Sequence, residues 1–402
     1  MKDPFTYIKT HGPKKIFEVI YQRKIQVILN RIMCFFLKKI PLKDIIVIES
    51  HNDFDTNGGA FYNYLLKNNF NQKYKIVWLL QNNIPKNLPN NVIGLSKVRP
   101  SIRVAYYRGI AKYLTSDHMI LKRMRKGQLA CYLTHGSISL KRTHGHFHMP
   151  NEIDCILTPS EFLAPIIADN FDISYPDVRQ KILGYPIHDI FYSCEEGDLK
   201  KITTTIYRKV ILWMPTFRKS IDSSRNDSNG ELPLGIPILK NLESYKKLNT
   251  FLSQKNTLLI VKIHPLQDLK SIKVQELSNI IVLDRNSMKT LNVDNYRLMK
   301  DVDALISDYS SASYDFLHAN KPIGYTVDDI KDFNLEMNFK DPEKYMPGHI
   351  IYTQEDFIQF IDDVISGKDF YAEKRKKVFD LFFKFHDGNS CQRLADYMGL
   401  RR

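Results

Sequence analysis

Short apolar runs alternate with segments of helical spacing along most of the chain. Runs such as DIIVIES (44–50), YKIVWLL (74–80) and KVILWMPTFR (209–218) are rich in β-branched residues and end at polar turns. Between such runs, segments such as FYNYLLKNN (61–69) and EDFIQFIDDVI (355–365) space apolar residues three or four positions apart. The first pattern is typical of buried parallel strands and the second of amphipathic helices. The alternation therefore predicts parallel α/β units.

A polar stretch near residue 200 separates two series of this kind. We expect residues 44–200 to form an N-terminal Rossmann-like domain and residues 201–402 a second one, with the final helices packing back toward the first. Residues 219–235 are rich in Ser, Asn, Asp and Gly and predict a surface loop. In open α/β sheets ligands bind at the carboxyl ends of the strands, so the polar turns there are the candidate site.

The chain between Lys14 and Ile40 has a third pattern, in which apolar residues at helical spacing alternate with basic ones. It predicts an amphipathic helix within an N-terminal unit of residues 1–43 that lies on an anionic membrane surface. A helix packed on its own domain is the alternative. No apolar run reaches the ~20 residues that span a bilayer, and no signal-peptide pattern opens the chain. We expect a cytoplasmic protein, peripheral on the inner face of the cell membrane.

Composition and charge narrow the class of protein. Of the 402 residues 43% are hydrophobic, which excludes a disordered chain, and the net charge of +14 favours anionic partners. The sequence has no RRM, KH or zinc-finger pattern, so nucleic acid is not the expected partner. The five cysteines are scattered without a CxxC pair, which predicts reduced thiols and no zinc motif.

Histidines supply the candidate chemistry of the first half. His135, in THGS, follows an apolar run and has a side chain suited to take a proton from a hydroxyl at neutral pH. A structural histidine at a turn is the alternative. His144, His146 and His148 alternate as metal ligands can, but no flanking Asp, Glu or Cys completes a set. We therefore predict no metal site.

The second half has three strand ends suited to bind phosphate. In LISDYSSASYDF (305–316), two serines lie where a strand gives way to a helix, and amide groups at a helix start favour an anion. Simple helix capping is the alternative, and Asp308 is expected to form the turn rather than act as a catalyst. The candidate residues of these three ends are Ser310 and Ser311, Thr216 and Arg218 in MPTFR, and Lys262 and His264 in KIHP.

Eight segments in this order resemble the CDP-glycerol glycerophosphotransferase family, which includes teichoic-acid and capsule polymerases and primases. The resemblance covers roughly residues 45–400. The segments are HGSISLK, DCILTPSEF, ILGYPIHD, ILWMPTFR, LLIVKIHP, LISDYSSASYDFLHANKPIGY, MPGHII and FHDGNSCQRLADYM.

The resemblance implies a GT-B architecture, in which two Rossmann-like domains face a cleft. It also implies transfer of glycerol-phosphate from CDP-glycerol to a hydroxyl of a membrane-bound glycan or polyol-phosphate acceptor, with CMP leaving. CDP-glycerol is then the donor substrate, and no further cofactor is expected. The matched residues are His135 as a candidate general base, His264 near the donor pyrophosphate, Ser310, Ser311 and Arg218 on the donor phosphates, and Asp315 at the nucleotide.

The chain departs from the family pattern in its first half. The family has Trp before HG and Thr-Pro after it, whereas this chain has Thr134 and SIS. Ile187 and His188 replace an Arg-Asn pair. These changes lie where the acceptor is expected, so they bear on the acceptor more than on the donor. The acceptor-side candidates are Gly136, Ser137, Lys141, His188 and Asp189. CDP-ribitol remains an alternative donor, and a GT-B glycosyltransferase using a nucleotide sugar an alternative activity.

Overall fold

The computed structural model describes residues 24–134, 136–145, 147–216, 236–263, 277–332 and 336–402. The chain forms two compact units. The first comprises residues 1–136, 143–192 and 383–402, and the second comprises residues 137–142 and 193–382. The main division thus falls between Tyr192 and Ser193, where the sequence suggested residue 200. The short segment 137–142 joins the second unit although the chain on either side of it belongs to the first.

The first unit contains a seven-stranded parallel sheet. Its strands are β1 (Lys43–Glu49), β2 (Lys75–Leu80), β3 (Val92–Ser96), β4 (Ala111–Ser116), β5 (Leu129–Tyr132), β6 (Cys155–Thr158) and β7 (Gln180–Ile182), in the order β3-β2-β1-β4-β5-β6-β7. Its helices begin with α1, residues 24–37, followed by α2 (Thr56–Lys67), α3 (Ile102–Ile110) and α4 (Ala164–Asn170).

The second unit contains a six-stranded parallel sheet in the order β10-β9-β8-β11-β12-β13. The strands are β8 (Lys209–Trp213), β9 (Thr257–Lys262), β10 (Ile280–Leu283), β11 (Ala304–Ser307), β12 (Ile323–Thr326) and β13 (His349–Ile351). The helices are α5 (Leu242–Gln254), α6 (Arg285–Thr290), α7 (Asn295–Asp301), α8 (Ala312–Asp315), α9 (Gln354–Ile365) and α10 (Ala372–Phe382). Helix α11 (Ser390–Tyr397) belongs to the first unit.

The apolar runs become strands because both faces of each sheet are covered. In β1 every residue from Ile45 to Glu49 is buried, and in β8 so is every residue from Val210 to Trp213. Trp213, Leu248 of α5 and Phe357 of α9 belong to one core cluster on the second sheet. Thr353 and Asp356 form a capping box at the start of α9, which satisfies amides that the helix leaves unpaired.

The predicted strand–helix alternation is confirmed in both units. The short edge strands β3, β7 and β13 were not predicted, because three to five residues carry little periodic signal. The segment ASYDFLHAN forms the four-residue α8 followed by a 3₁₀ helix, Phe316–Ala319, where one longer helix was expected. Of the predicted N-terminal helix, residues 14–23 lie outside the described residues. In the part of the chain that is described, no helix is long and apolar enough to cross a membrane.

Candidate functional site

The strand order of the second sheet predicts where a ligand binds. From β8 the chain continues to β9 and β10 on one side, and from β11 to β12 and β13 on the other. Strands β8 and β11 are neighbours, with Ile211 opposite Ala304 and Trp213 opposite Ile306. The crevice outside the carboxyl ends of such a strand pair is the usual ligand site of an open α/β sheet. The motifs MPTFR and SDYSS follow these two strands, so the sheet brings two distant candidate motifs together.

Asp308 connects the two strand ends. Its side chain is fully buried, and its carboxylate accepts hydrogen bonds from the backbone N–H of Thr216 at 2.8 Å and from the Thr216 hydroxyl. The neighbouring Ser307 hydroxyl donates to the Met214 carbonyl at 3.3 Å. Asp308 therefore holds the first residues after β8 in place. Arg218, two residues further along the chain, lies outside the described residues.

Ser310 and Ser311 form the turn between β11 and α8, and both are half-buried. The Ser310 hydroxyl accepts from the Ala312 N–H at 3.3 Å, so this serine does cap the turn. The Ser311 side chain makes no capping hydrogen bond. Capping therefore accounts for one of the two serines and leaves the hydroxyl of the other for a different partner.

Asp315 lies inside the second unit rather than at its surface. Its side chain is 2% exposed, and its two oxygens accept from the Ser137 N–H at 3.2 Å and from the Tyr296 hydroxyl at 3.1 Å. Asp315, the last residue of α8, therefore contacts α7 and the segment that begins at Ser137. Its expected contact with the nucleotide stays a prediction.

Lys262 is the last residue of β9, which pairs with β8, and it is half-buried. Burial lowers the pKa of its ammonium group from the ordinary 10.5 to about 8, although the charge of Asp294 acts in the opposite direction. Asp294 in turn caps α7 by accepting from the Tyr296 and Arg297 amides. A partly desolvated ammonium near a strand end is suited to pair with a phosphate. His264, two residues on, lies outside the described residues.

Two of the acceptor-side candidates lie in the second unit. Ser137 donates its backbone N–H to Asp315, as described above. Lys141 is buried and forms an antiparallel β-bridge with Met337. Asn338 donates to the carbonyls of Ser139 and Lys141 at 2.8 and 2.9 Å. The Ser137 hydroxyl is buried and has no hydrogen-bond partner among the described residues. The expectation that this whole motif belongs to the N-terminal domain is thus wrong from Ser137 onward. Gly136 remains in the first unit, and His135 lies outside the described residues.

The other two acceptor-side candidates contact protein groups of the first unit. His188 is 2% exposed, with its ring 5.5 Å from that of Tyr185 and 5.3 Å from that of Phe383. The Asp189 carboxylate accepts from the N–H groups of Ser390 and Cys391 at 2.9 and 2.8 Å, at the start of α11. Carboxylates stabilise helix N-termini in this way. In this structure both side chains serve the packing of the first unit.

Sequence reasoning missed a polar cluster at the equivalent point of the first sheet, where β1 and β4 are neighbours. Asp117 accepts from the Gly58 N–H at 2.8 Å, the Thr56 hydroxyl at 2.5 Å and the His51 N–H at 3.1 Å. Burial raises the pKa of this carboxyl well above its ordinary range, although the Thr56 and Gly58 hydrogen bonds act against the shift. The signal in the sequence was the pair of motifs ESH (49–51) and SDH (116–118), which lie at the ends of β1 and β4 and each contain an acid and a histidine.

A second buried acid completes that cluster. Glu49 is fully buried, forms an ion pair with Lys97 at 2.6 Å and accepts from the Met119 N–H at 2.7 Å. The rings of His51 and His118 meet edge to face at 4.5 Å. The loop between β1 and α2 has positive φ at three non-glycine residues, Asp53, Phe54 and Thr56. Strained backbone of this kind persists only where surrounding contacts hold it.

The histidines that suggested a metal site have separate partners. The Nδ1 atom of His144 lies 3.2 Å from the Asp169 carboxylate, and that of His148 lies 3.0 Å from the Asp172 carboxylate. His146 lies outside the described residues. Within the described ranges, no three His, Cys, Asp or Glu side chains are grouped to hold a metal ion.

The chain is similar in sequence to polymerases and primases of teichoic acids. Teichoic acid ribitol-phosphate polymerase TarL of Staphylococcus aureus is 25% identical over an alignment of 397 positions, which covers 92% of this chain and 64% of TarL. Teichoic acid poly(glycerol phosphate) polymerase of Bacillus spizizenii is 23% identical over 88% of this chain and 91% of its own length. Teichoic acid glycerol-phosphate primase of Bacillus subtilis is 29% identical over 61% of this chain and 57% of its own length. The chain thus spans less than two thirds of TarL.

The fold has a counterpart among solved structures. The wall teichoic acid polymerase TagF superposes with a TM-score of 0.70 at 19% identity, covering 99% of this chain and 98% of that one. This likeness confirms the predicted GT-B class for the two parallel-sheet α/β domains. The sequence profile of the family described as CDP-Glycerol:Poly(glycerophosphate) glycerophosphotransferase matches residues 32–399. The protein belongs to this family.

Proposed function

We propose that this protein transfers a polyol-phosphate from a CDP-polyol to a hydroxyl of a membrane-linked glycan or polyol-phosphate acceptor and releases CMP. The observation that carries the proposal is the Ser310–Ser311 turn at the point between β8 and β11, where the Ser311 hydroxyl makes no capping hydrogen bond. Family membership supports the class of reaction. The relatives named above act in teichoic acid synthesis, which we propose, with capsule synthesis, as the pathway class of this chain.

The proposed reaction is a displacement at the phosphorus that bears the polyol. The acceptor oxygen forms a bond to that phosphorus, the bridging P–O bond to CMP breaks, and a base takes the hydroxyl proton. An imidazole titrates near neutral pH, which supports His135 as the base. Hydroxyl, amide and cationic groups stabilise the negative charge on the phosphate oxygens. We assign that role to Ser310, Ser311, Lys262, Arg218 and His264.

We propose CDP-glycerol as the donor, because the family description names glycerophosphate. TarL, whose match covers most of the chain, is named for ribitol-phosphate, so CDP-ribitol is the alternative that the experiment must separate. A nucleotide-sugar glycosyltransferase would use the same class of fold and would release UDP or a related nucleotide instead of CMP.

A donor panel tests this proposal. The purified full chain is incubated with a glycerol-phosphate-primed lipid acceptor and, in turn, CDP-glycerol, CDP-ribitol and UDP-sugars. We expect CMP release with CDP-glycerol and a product heavier by one or more glycerol-phosphate units. Release of UDP alone would overturn the proposal. His135→Ala should abolish transfer, whereas His144→Ala, a histidine paired with Asp169 at the surface, should leave it unchanged.

We further propose that α1 lies on the anionic membrane surface, where a lipid-linked acceptor would be reached. Five of its apolar side chains are exposed in the structure: Val27, Ile28, Ile32, Phe35 and Phe36 are each 47–70% exposed. Lys24, Arg31, Lys38 and Lys39 are exposed with them. Exposed apolar side chains interleaved with cations suit insertion at the boundary of anionic lipid headgroups.

A further inference from the structure

The motif SDYSSASYD contains two acids, Asp308 and Asp315, one on each side of the serine pair. Both side chains are buried, at 0% and 2% exposed. A carboxylate that faced the donor would meet the negative charges of its phosphates, and like charges at short distance repel. Both acids point instead at hydrogen-bond donors of the protein, so their role differs from that of the serines between them.

Asp308 holds Thr216 at two points. One carboxylate oxygen accepts from the backbone N–H at 2.8 Å, and the other accepts from the side-chain hydroxyl of the same residue. Hydrogen bonds to an ionised acceptor are about twice as strong as neutral ones, and two on one residue fix both position and orientation. Thr216 precedes Arg218 by two residues. The contact therefore fixes the end of the described segment after β8 against the residue that follows β11.

Asp315 holds the other loop. One oxygen accepts from the Ser137 N–H at 3.2 Å, and the second accepts from the buried Tyr296 hydroxyl at 3.1 Å, which orients the carboxylate. Ser137 follows His135 by two residues and is the first residue of the segment that joins the second unit. The Asp315 contact thus fixes Ser137 within the unit that carries the serine turn.

We propose that Asp308 and Asp315 are positioning residues, which hold the loops at Thr216 and Ser137 in register with the Ser310–Ser311 turn of the same unit and do not contact the donor. The inference rests on the proposed function, and it assigns to Asp315 a role other than nucleotide binding. Displacement at phosphorus depends on the alignment of base, acceptor and phosphate, so a small shift of either loop lowers the rate of chemistry more than donor binding.

Tyr296→Phe is the sharpest test, because it removes one hydroxyl that orients Asp315 and leaves the acid in place. Tyr309→Phe is the matched control: its hydroxyl also donates to a buried acid at 3.1 Å, but that acid is Asp329 and not Asp315. We expect Tyr296→Phe and Asp315→Asn to lower kcat ~10-fold or more with donor KM within ~3-fold. Tyr309→Phe should keep wild-type kcat. A raised donor KM with unchanged kcat would instead make Asp315 a nucleotide ligand.

The Asp308 contact is tested by comparing two variants of Thr216. Thr216→Val keeps the shape and removes the hydroxyl donor, while Thr216→Ser restores the hydroxyl. We expect kcat to fall ~10-fold or more in Thr216→Val and to recover in Thr216→Ser, with thermal melts showing that both are folded. Equal kcat in the two variants would overturn the role assigned to Asp308.

Amide hydrogen exchange separates this inference from the proposed function. If wild-type protein releases no CMP from any CDP-polyol, the proposed function fails, yet exchange of the peptide that contains Ser137 can still be measured. We expect that exchange to be at least ~10-fold faster in Tyr296→Phe than in Tyr309→Phe, because a weakly held amide opens more often. Equal exchange in the two variants would overturn the inference.

Discussion

At the level of single residues, the polar side chains discussed for the second unit fall into two groups. The carboxylates of Asp308 and Asp315 accept hydrogen bonds from the backbone N–H groups of Thr216 and Ser137. Ser311 makes no capping bond, and the buried Ser137 hydroxyl has no partner among the described residues. Buried polar atoms are rarely left unpaired, so a hydroxyl of the second group is a candidate for ligand contact.

The two serines predict different phenotypes. Ser311→Ala should raise donor KM ~10-fold or more, since a hydrogen bond to a charged phosphate contributes roughly 1.5–3 kcal/mol. Its stability should change by less than ~0.5 kcal/mol, because no cap is lost. Ser310→Ala should differ from Ser311→Ala in stability. It should lower the free energy of unfolding by about 1 kcal/mol, since it removes the hydrogen bond from the Ala312 N–H to the Ser310 hydroxyl. Steady-state kinetics and urea unfolding measure both, and wild-type donor KM in Ser311→Ala would reduce that serine to a turn residue.

Lys262 predicts a pH dependence of stability. Its pKa in the folded state is about 8, below the ordinary 10.5, so the folded chain binds fewer protons between these two values. Stability then rises with pH from about 8 to 10.5, and the cost of burying the charge applies in full below pH 8. Lys262→Met should therefore be more stable at pH 7, by on the order of 2 kcal/mol, with a flatter rise.

Urea unfolding of wild type and Lys262→Met at several pH values between 7 and 10 measures the difference. Lys246→Met serves as the control, since this lysine lies exposed on the same unit. Parallel stability curves for wild type and Lys262→Met would show that burial of the ammonium has no cost.

Among the secondary-structure elements, α8 changes the explanation of the phosphate site. The sequence suggested a regular helix behind the serines, whose dipole would attract an anion. The structure has a four-residue α8 followed by a 3₁₀ turn that ends at Asn320 in the left-handed conformation. So short an element has a weak aligned dipole, so the proposed binding of phosphate would depend more on side-chain hydroxyls and cations.

Helix α1 predicts membrane binding that depends on its exposed aromatic residues. Replacing both Phe35 and Phe36 by Ser should weaken sedimentation with phosphatidylglycerol vesicles at least ~10-fold, because each buried Phe contributes roughly 1.5–3 kcal/mol. Phe370→Ser is the control, since Phe370 is 72% exposed against 70% for Phe36 and lies on the second unit. Binding should fall as salt is raised from 0.1 to 0.5 M. Unchanged binding of the double variant would exclude α1 as the membrane contact.

At the level of the whole molecule, each unit places its polar strand ends at one reversal of strand order. In the first unit this point lies between β1 and β4, and in the second between β8 and β11. The chain passes from one unit to the other at residues 136, 142, 192 and 382. The segment 137–142 is a short stretch of the second unit that is flanked on both sides in the sequence by the first unit. A net charge of +14 suits a protein whose proposed substrates and membrane surface are anionic.

Much of the second unit could be predicted because its signals are local. The apolar runs of β8, β9 and β11, and the serines that follow β11, lie within stretches of ten residues whose composition indicates strand and turn. The role of Asp189 could not be predicted, because its partners Ser390 and Cys391 lie about 200 residues away. The Asp117–Gly58 contact was missed for the same reason, as it joins the end of β4 to the first turn of α2 through tertiary packing.

The amino-acid sequence was sufficient for the α/β class, the family and the candidate serines, because periodicity and short motifs are properties of neighbouring residues. Which acids of those motifs bond to distant parts of the chain required the tertiary structure. Asp308, Ser310, Ser311 and Asp315 lie within eight residues, and nothing in their order distinguishes the acids that bond to Thr216 and Ser137 from the serines that form the turn. The distinction comes from strand pairing, which places Thr216 beside Asp308, and from the passage of residues 137–142 into the second unit, which places Ser137 beside Asp315.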